Sequence, residues 1–285
     1  IDSARETFGD DAPVYPLLLE LQIGHWRELA ARGSALTPES FHIESDTFEG
    51  RCSELVQRVL RDYGDELQVT LERLSVANRF DRAAFEHIVR SFGTGLPFDS
   101  FERIAGLSFM TKGRNGFLVM HRVVAHAIRS MLPEEKYRSS AEALRMHYES
   151  RATVASPREV TDHTIEALLE AAYLRRQIGI DGYVDWLAQK AAPIQSAARF
   201  AACELLWREA LRLVEEKLGE EHPSTAGSYN NVASNLNAQG RYAEAEPLYR
   251  KALDIRARVL GEEHPDTTVI HTNLDSNVND QLSFA

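Results

Sequence analysis

The chain has 285 residues, of which 44% are hydrophobic and 26% are charged, the composition of a folded globular protein rather than a disordered one. No run approaches the roughly 18 consecutive apolar residues of a membrane span, so we expect no membrane insertion. The start of the chain lacks the basic and apolar segments of a signal peptide, which predicts a cytoplasmic location. Because the sequence begins at Ile1 rather than at methionine, we interpret it as an excised piece of a longer protein.

The formal net charge of −11 disfavours nucleic acid and acidic membranes as partners. The charge is uneven, because residues 66–132 carry nine basic and six acidic side chains. This contrast predicts a separate module in that segment. The two cysteines, Cys52 and Cys203, lie far apart in predicted helices, and we expect two packed thiols rather than a disulfide.

Apolar spacing predicts helices along the first third of the chain. Residues 17–31 place leucines and Trp26 on one helical face, and residues 50–63 place leucine and valine there. Residues 37–48 between them are predicted to form a loop. We therefore expect residues 1–65 to be a segment of a helical bundle.

Residues 66–132 are predicted to form a domain of helices followed by a small β-wing. The Asn115-Gly116 pair is a strong hairpin signal, and it lies between two short apolar runs. The predicted helices are 66–76, 81–92, 98–105 and 122–131, and the predicted strands are 107–110 and 117–120. Three helices, a two-stranded wing and a closing helix are the elements of a winged helix.

Three stretches of this domain resemble the winged helix of the signal-transduction ATPases with numerous domains (STAND, NB-ARC-like). They are Leu74–Phe80, Leu96–Phe98 and Phe117–Arg122. The resemblance implies that His121, in Met120-His121-Arg122, contacts the β-phosphate of a nucleotide, although Arg122 replaces that family's aspartate. The alternative is that His121 only caps or packs against the following helix.

Residues 133–198 are predicted to be a helical connector or degenerate repeats, with helices at 134–151, 157–179 and 183–191. A repeat signal follows, since Leu218–Pro223 recurs almost unchanged as Leu260–Pro265, 42 residues later. A period of this size built from helix pairs is typical of a solenoid that binds partners. We assign residues 199–285 to these repeats and expect the last one to be truncated.

The repeat resembles the tetratricopeptide repeats of kinesin light chain type. Tyr229–Ala233, Gln239–Glu246 and Leu248–Ile255 carry this likeness, with Gly240 in the turn. The resemblance implies a groove, lined by the first helix of each pair, that holds a peptide or a partner protein. The predicted fold class is therefore mainly α, with a winged-helix-like domain followed by an α-α superhelix.

Asparagines are the candidate groove residues. Asn231 and Asn235 are four residues apart on one predicted helix, and Asn273 and Asn277 repeat them one unit later. An amide both donates and accepts, which suits it to grip a peptide backbone. The alternative is that these amides bond neighbouring helices inside the stack. Tyr229 and Arg241 are predicted to add contacts, which completes the candidate groove set.

No catalytic constellation is apparent in the sequence. The Gly-rich phosphate loop that ends in Lys-Ser or Lys-Thr is missing, so we predict no enzymatic activity and no cofactor in this chain, with ADP or ATP confined to a longer parent protein. His222 and His264 lie a whole repeat apart, at predicted helix starts, and we expect no metal there.

The leading functional hypothesis is a sensor and scaffold region of a nucleotide-switch protein, in which the repeats bind a protein or peptide. One alternative is a transcription regulator, with Arg103, Lys112 and Arg114 on DNA. We do not expect DNA to be the partner, because the candidate recognition helix 98–105 is short, acidic and apolar. The other alternative is a plain repeat adaptor. An incomplete last repeat would allow pairing with another chain.

Overall fold

The computed structural model describes residues 22–24, 26–27, 30, 33, 45, 47–179 and 181–283. Most of the predicted loop 37–48 and much of the predicted helix 17–31 lie outside these residues. The chain divides into two compact units, residues 1–148 and residues 149–285. We describe each unit by itself.

From residue 48 onward the first unit consists of α-helices and one β-hairpin. The predicted helices after residue 50 are present, although the helix predicted at 98–105 is a 3₁₀ turn, Phe98–Ser100, followed by one short α-helix. The elements are α1 Phe48–Asp62, α2 Asp65–Leu74, α3 Arg82–Phe92, α4 Phe101–Ala105, β1 Met110–Lys112, β2 Leu118–Met120, α5 Arg122–Met131 and α6 Glu134–Ala152. The last helix continues into the second unit.

The predicted hairpin is confirmed, but its first strand is displaced along the chain. Strands β1 and β2 are antiparallel, with Met110 opposite Met120. The Met110 N–H donates to the Leu107 carbonyl oxygen over 2.9 Å, and this turn withdraws residues 107–109 from the predicted strand. Asn115 has φ of 55°, as the asparagine of such a turn can. The wing is therefore two short strands.

A third pairing joins this hairpin to the segment between α2 and α3. Phe80 and Leu118 exchange backbone hydrogen bonds of 2.9 and 2.7 Å. Phe80 and Phe117, at and next to this pairing, are both buried. The core of the unit is thus covered by α2, α3 and a narrow sheet.

The start of α6 packs on the first unit through polar contacts. Arg73 donates to the Ser140 hydroxyl over 3.0 Å, and its guanidinium lies 3.5 Å from the centre of the Phe92 ring. The Tyr148 hydroxyl donates to the Arg79 carbonyl oxygen over 3.3 Å. These contacts fix the helix on the unit from Ser140 to Tyr148.

In its described residues the second unit contains helices and the turns that connect them. The helix predicted at 157–179 begins only at Asp162, because the Thr161 side chain caps it, and the helix predicted at 183–191 continues to Ser196. The elements are α7 Asp162–Ile178, α8 Tyr183–Ser196, α9 Phe200–Leu218, α10 Pro223–Ala238, α11 Tyr242–Leu260 and α12 Pro265–Ser283. None of the helices in the described ranges is long and apolar enough to cross a membrane.

The 42-residue period of the sequence is also a period of the backbone. Gly219 and Gly261 end α9 and α11 with φ of 89° and 92°, values that favour glycine. The Thr225 hydroxyl donates to the Gly219 carbonyl over 2.7 Å, and Thr267 makes the equivalent bond to Gly261 over 2.9 Å. Each link between helix pairs is therefore fixed by the same hydrogen bond.

The two link histidines cap helices. The Nδ1 atom of His222 accepts a hydrogen bond from the Ser224 N–H over 3.1 Å, and His264 accepts one from Asp266 over 3.2 Å. Both rings thus satisfy a free N–H at a helix start. Among the described residues no group of three or more His, Cys, Asp or Glu side chains could hold a metal ion.

The helix pair α8–α9 has the same turn as the pair α10–α11. Ala198 has φ of 57°, and Gly240, 42 residues later, has φ of 74°. Arg199 and Arg241 follow with nearly equal backbone angles and precede α9 and α11. The repeat geometry therefore begins at Tyr183. The sequence pattern places the start of the repeats later, at residue 199. Because alanine replaces glycine at this turn, the 42-residue sequence pattern does not reveal the pair α8–α9.

Candidate protein-binding surface

Two of the four candidate asparagines lie inside the stack. Asn235 and Asn277 have no exposed surface. The Asn235 amide donates to the Phe200 carbonyl oxygen over 3.2 Å, and the Asn277 amide donates to the Tyr242 carbonyl oxygen over 3.3 Å. Both bonds tie a helix to the start of the helix before it. The groove assignment of these two residues is therefore corrected, because burial places both amides between helices.

Both buried amides are only half satisfied. The Asn277 amide also donates to the Asn237 Oδ1 atom over 2.7 Å. The Oδ1 atoms of Asn235 and Asn277 accept no hydrogen bond from any described residue. A buried polar atom without a partner costs about 1–3 kcal/mol. The hydrogen bonds that each amide nitrogen donates offset this cost, so their loss should destabilise the stack.

Asn231 and Asn273 lie at the edge of the solvent-exposed face. Both are half-buried, and Asn273 donates to the Asn230 Oδ1 atom over 3.0 Å, which links α12 to α10. Asn231 makes no side-chain hydrogen bond with any described residue. Its amide is therefore the member of the predicted set that remains available to a ligand. Asn230 was not among the predicted contact residues, although it directly precedes Asn231 in the sequence.

The first helices of the pairs, α8, α10 and α12, share one exposed face, which we call the first-helix surface. Helix α10 contacts both α8 and α12. On each helix the face consists of positions i, i+4, i+7 and i+11, and each position is exposed or half-buried. The residues are Asp185, Gln189, Ala192 and Ser196 on α8, Gly227, Asn231, Ser234 and Ala238 on α10, and Val269, Asn273, Ser276 and Asp280 on α12.

One side-chain amide recurs on each helix of this surface. Gln189, Asn231 and Asn273 occupy the i+4 position of α8, α10 and α12, 42 residues apart. Gln189 is exposed and, like Asn231, makes no side-chain hydrogen bond with any described residue. Two neighbouring helices thus present an available amide. Gln189 was missed, because the sequence pattern places the start of the repeats after it.

The rest of this surface is made of small and mostly uncharged side chains. Its two charged residues are Asp185 and Asp280, and neither forms an ion pair with a described residue. Helices α9 and α11 differ, because they carry ion pairs along their exposed sides, such as Arg208 with Glu204 and Arg258 with Asp254. The first-helix surface thus allows close approach of a partner backbone.

Tyr229 lies in the core. Only 4% of the residue is exposed, and it packs with Ala252 and Ile255 in one apolar cluster. Its hydroxyl donates to Glu215, and the Lys251 ammonium lies 4.4 Å from the ring centre. Burial and the bond to Glu215 raise the pKa of Tyr229. The predicted groove role is corrected, because this side chain stabilises the interior of the repeat.

Arg241 is held by two carboxylates at the turn before α11. It donates to both oxygens of Glu244 over 2.8 and 2.7 Å and to Glu204 over 2.7 Å. The bonds to Glu244 raise the pKa of Arg241. Burial raises the pKa of Glu204, but hydrogen bonds from Arg208 and Gln239 outweigh it, so the net shift is downward. Arg241 therefore fastens α11 to α9, and a ligand would have to displace these bonds.

His121 directly precedes α5 and caps it, which is the alternative role considered for this residue. Its Nδ1 atom accepts from the Val123 N–H over 3.3 Å, and its backbone N–H donates to the Phe109 carbonyl over 2.8 Å. The ring is exposed. A cavity of about 570 Å³ lies nearby between α1 and α5, and its charged and titratable lining residues include Arg122, His126 and Arg129. The structure thus gives His121 a capping role.

Comparison with known protein families assigns part of the second unit to a repeat family. Residues 225–266 match the family model described as the tetratricopeptide repeat. This match identifies a domain of the tetratricopeptide type. The matched segment covers α10 from Thr225, all of α11 and the link into α12. Tetratricopeptide-type domains are characteristic of protein-interaction scaffolds. No curated protein matches the chain significantly.

Proposed function

We propose that this chain is a protein-interaction scaffold, not an enzyme, and that its tetratricopeptide-type repeats take a segment of a partner protein on the first-helix surface. The observation that carries the proposal is the Asn231 amide, which lies on this surface without a hydrogen-bond partner among the described residues. Gln189 repeats this amide on the neighbouring helix, and the tetratricopeptide match supports the assignment. We propose no cofactor for this chain.

The chemistry of the surface specifies the kind of partner segment. An amide that donates and accepts can pair with the backbone of an extended segment of almost any sequence. Alanine and serine let that backbone approach closely, while Asp185 and Asp280 disfavour an acidic segment. We therefore propose an extended segment that is neutral or basic, bound mainly through its backbone.

Replacing Asn231 tests this assignment. The partner is first captured from lysate with the tagged chain, and its affinity is then measured by calorimetry for the native chain and for Asn231→Ala. We expect the variant to bind about 3- to 10-fold more weakly, as the loss of one or two hydrogen bonds implies. The matched control is Asn279→Ala, an exposed asparagine on α12 outside the surface. Equal affinities for the native chain and Asn231→Ala would reject the proposed site.

A second proposal concerns the first unit, which we assign to the winged helix of a nucleotide-switch parent protein. The order of α2, α3, α4, the hairpin and α5 supports it, because three helices, a two-stranded wing and a closing helix are the elements of a winged helix. His121 would then contact the nucleotide through its ring edge opposite the capping Nδ1 atom. The test is ADP affinity of the parent protein with and without His121→Ala; an unchanged affinity would remove His121 from the site.

DNA binding by the wing is the competing proposal. Lys112 and Arg114 are exposed and form no ion pair with a described residue, which favours contact with phosphate. Helix α4 opposes it, because Phe101–Ala105 is too short to serve as a recognition helix and Phe101 and Ile104 are buried. A mobility shift over a salt series distinguishes the two, since DNA binding must weaken steeply with salt.

A further inference from the structure

The outer face of α12 differs from the equivalent face of α10 at each of three positions. On α10 the face consists of Ala226, Tyr229 and Ala233, which are 0%, 4% and 0% exposed. Ala226 and Tyr229 belong to the apolar cluster that also contains Ile270 of α12. This face is therefore where α10 receives the next helices of the stack.

The residues 42 positions later, which occupy the equivalent places on α12, are Thr268, His271 and Asp275. All three are polar and exposed, and the His271 Nδ1 atom lies 3.0 Å from an Asp275 carboxylate oxygen. Stacking another helix here would bury a hydroxyl, an imidazole and a carboxylate together, and burying such groups unpaired is strongly unfavourable. These three positions are suited to water.

The backbone of α12 also omits the turn that leads from a first helix to a second one. That turn needs positive φ, which Gly240 and Ala198 supply with 74° and 57°. The equivalent residue is Leu282, which remains helical in α12, whereas α10 ends at Ala238. Leucine seldom adopts positive φ, so the sequence favours a continuing helix at this position.

We propose that α12 is a capping helix that closes the repeat stack, and that its outer face accepts neither a further helix pair nor a second copy of this chain. This replaces the sequence-based expectation of a truncated repeat with a face free to pair. Terminal helices with a polar outer face serve this purpose in repeat proteins. The first-helix surface then ends at α12.

The first test restores the apolar face of α10 on α12. The native chain and the variant Thr268→Ala/His271→Tyr/Asp275→Ala are compared by sedimentation equilibrium at increasing concentration. We expect the native mass to stay at that of one chain and the mass of the variant to rise at least twofold. The matched control, Thr272→Ala/Asn279→Ala, changes two exposed residues elsewhere on the same helix and should stay monomeric.

Two results would overturn the proposal: a variant that folds yet stays monomeric, or native self-association that Leu282→Asp abolishes. If the triple variant does not fold, a second measurement decides. A copy of residues 239–260 is added after Ser283, and hydrogen exchange of the added segment is followed. We expect fast exchange on native α12; protection as slow as that of α11 would show that α12 accepts a further helix.

Discussion

The side-chain amide of Asn235 donates to the carbonyl oxygen of Phe200 over 3.2 Å, and the bond recurs 42 positions later between Asn277 and Tyr242. Each bond joins the first helix of one pair to the start of the second helix of the preceding pair. The repeat is thus held by a buried polar bond as well as by apolar packing.

Replacing Asn235 should therefore weaken the stack. For Asn235→Ala we expect a loss of about 1–3 kcal/mol in the free energy of unfolding of the second unit, because the Phe200 carbonyl is left without this donor. The measurement is hydrogen exchange of α9 and α10 amides under native conditions. Asn231→Ala is the control and should change the free energy by under about 0.5 kcal/mol. Equal effects would contradict the assigned roles.

The turn at Ala198 predicts an unusual stabilising substitution. Alanine at φ of 57° carries about 1–2 kcal/mol of strain, which exceeds the entropic cost of introducing glycine. We expect Ala198→Gly to stabilise the second unit by about 0.5–1 kcal/mol and Gly240→Ala to destabilise it by about 1 kcal/mol. Urea unfolding measures both. Destabilisation by Ala198→Gly would mean that the turn is not strained.

Alkaline pH should destabilise the second unit through two buried groups. Burial raises the pKa of Cys203 to about 11 and that of Tyr183 to about 12, from ordinary values of 9.0 and 10.0. A raised pKa in the folded state means that the stability is complete below the unfolded value and is lost as pH rises through the folded value. We expect stability to fall from pH 9 towards pH 12.

Cys203→Ala isolates the thiol's part of this loss. The variant lacks the group that titrates first, so its decline should begin nearer pH 10, where Tyr183 begins to contribute. Thermal melts at half-unit pH steps provide the measurement, and Cys52→Ala, a second buried thiol in the other unit, is the control. Identical pH profiles for the native chain and Cys203→Ala would contradict the burial argument.

Much of the repeat could be predicted from the sequence because its period is carried by turn and link residues. The Gly240 turn and the links at Gly219 and Gly261 depend on backbone conformations that glycine alone adopts freely. Because these positions favour glycine in each copy, the repeat can be recognised from a single sequence. The pair α8–α9 was not visible, since Ala198 adopts the same turn without the glycine.

The orientation of the asparagines could not be predicted at the precision that the site requires. Asn231 and Asn235 are four residues apart, which turns them by only about 40° around the helix. The boundary between the buried and exposed faces of α10 falls within this angle, so Asn235 meets Phe200 while Asn231 remains at the edge. That boundary is set by the position of α9, which no local pattern reveals.

Site-specific photo-crosslinking tests the central claim most directly. A benzophenone amino acid is placed at Ala192 or Ala238 on the first-helix surface, or at the exposed Val259 of α11 as the control. The account predicts that irradiation joins the captured partner to the chain from positions 192 and 238 but not from 259. Crosslinking from 259 alone would contradict it and would place the partner on the second helices.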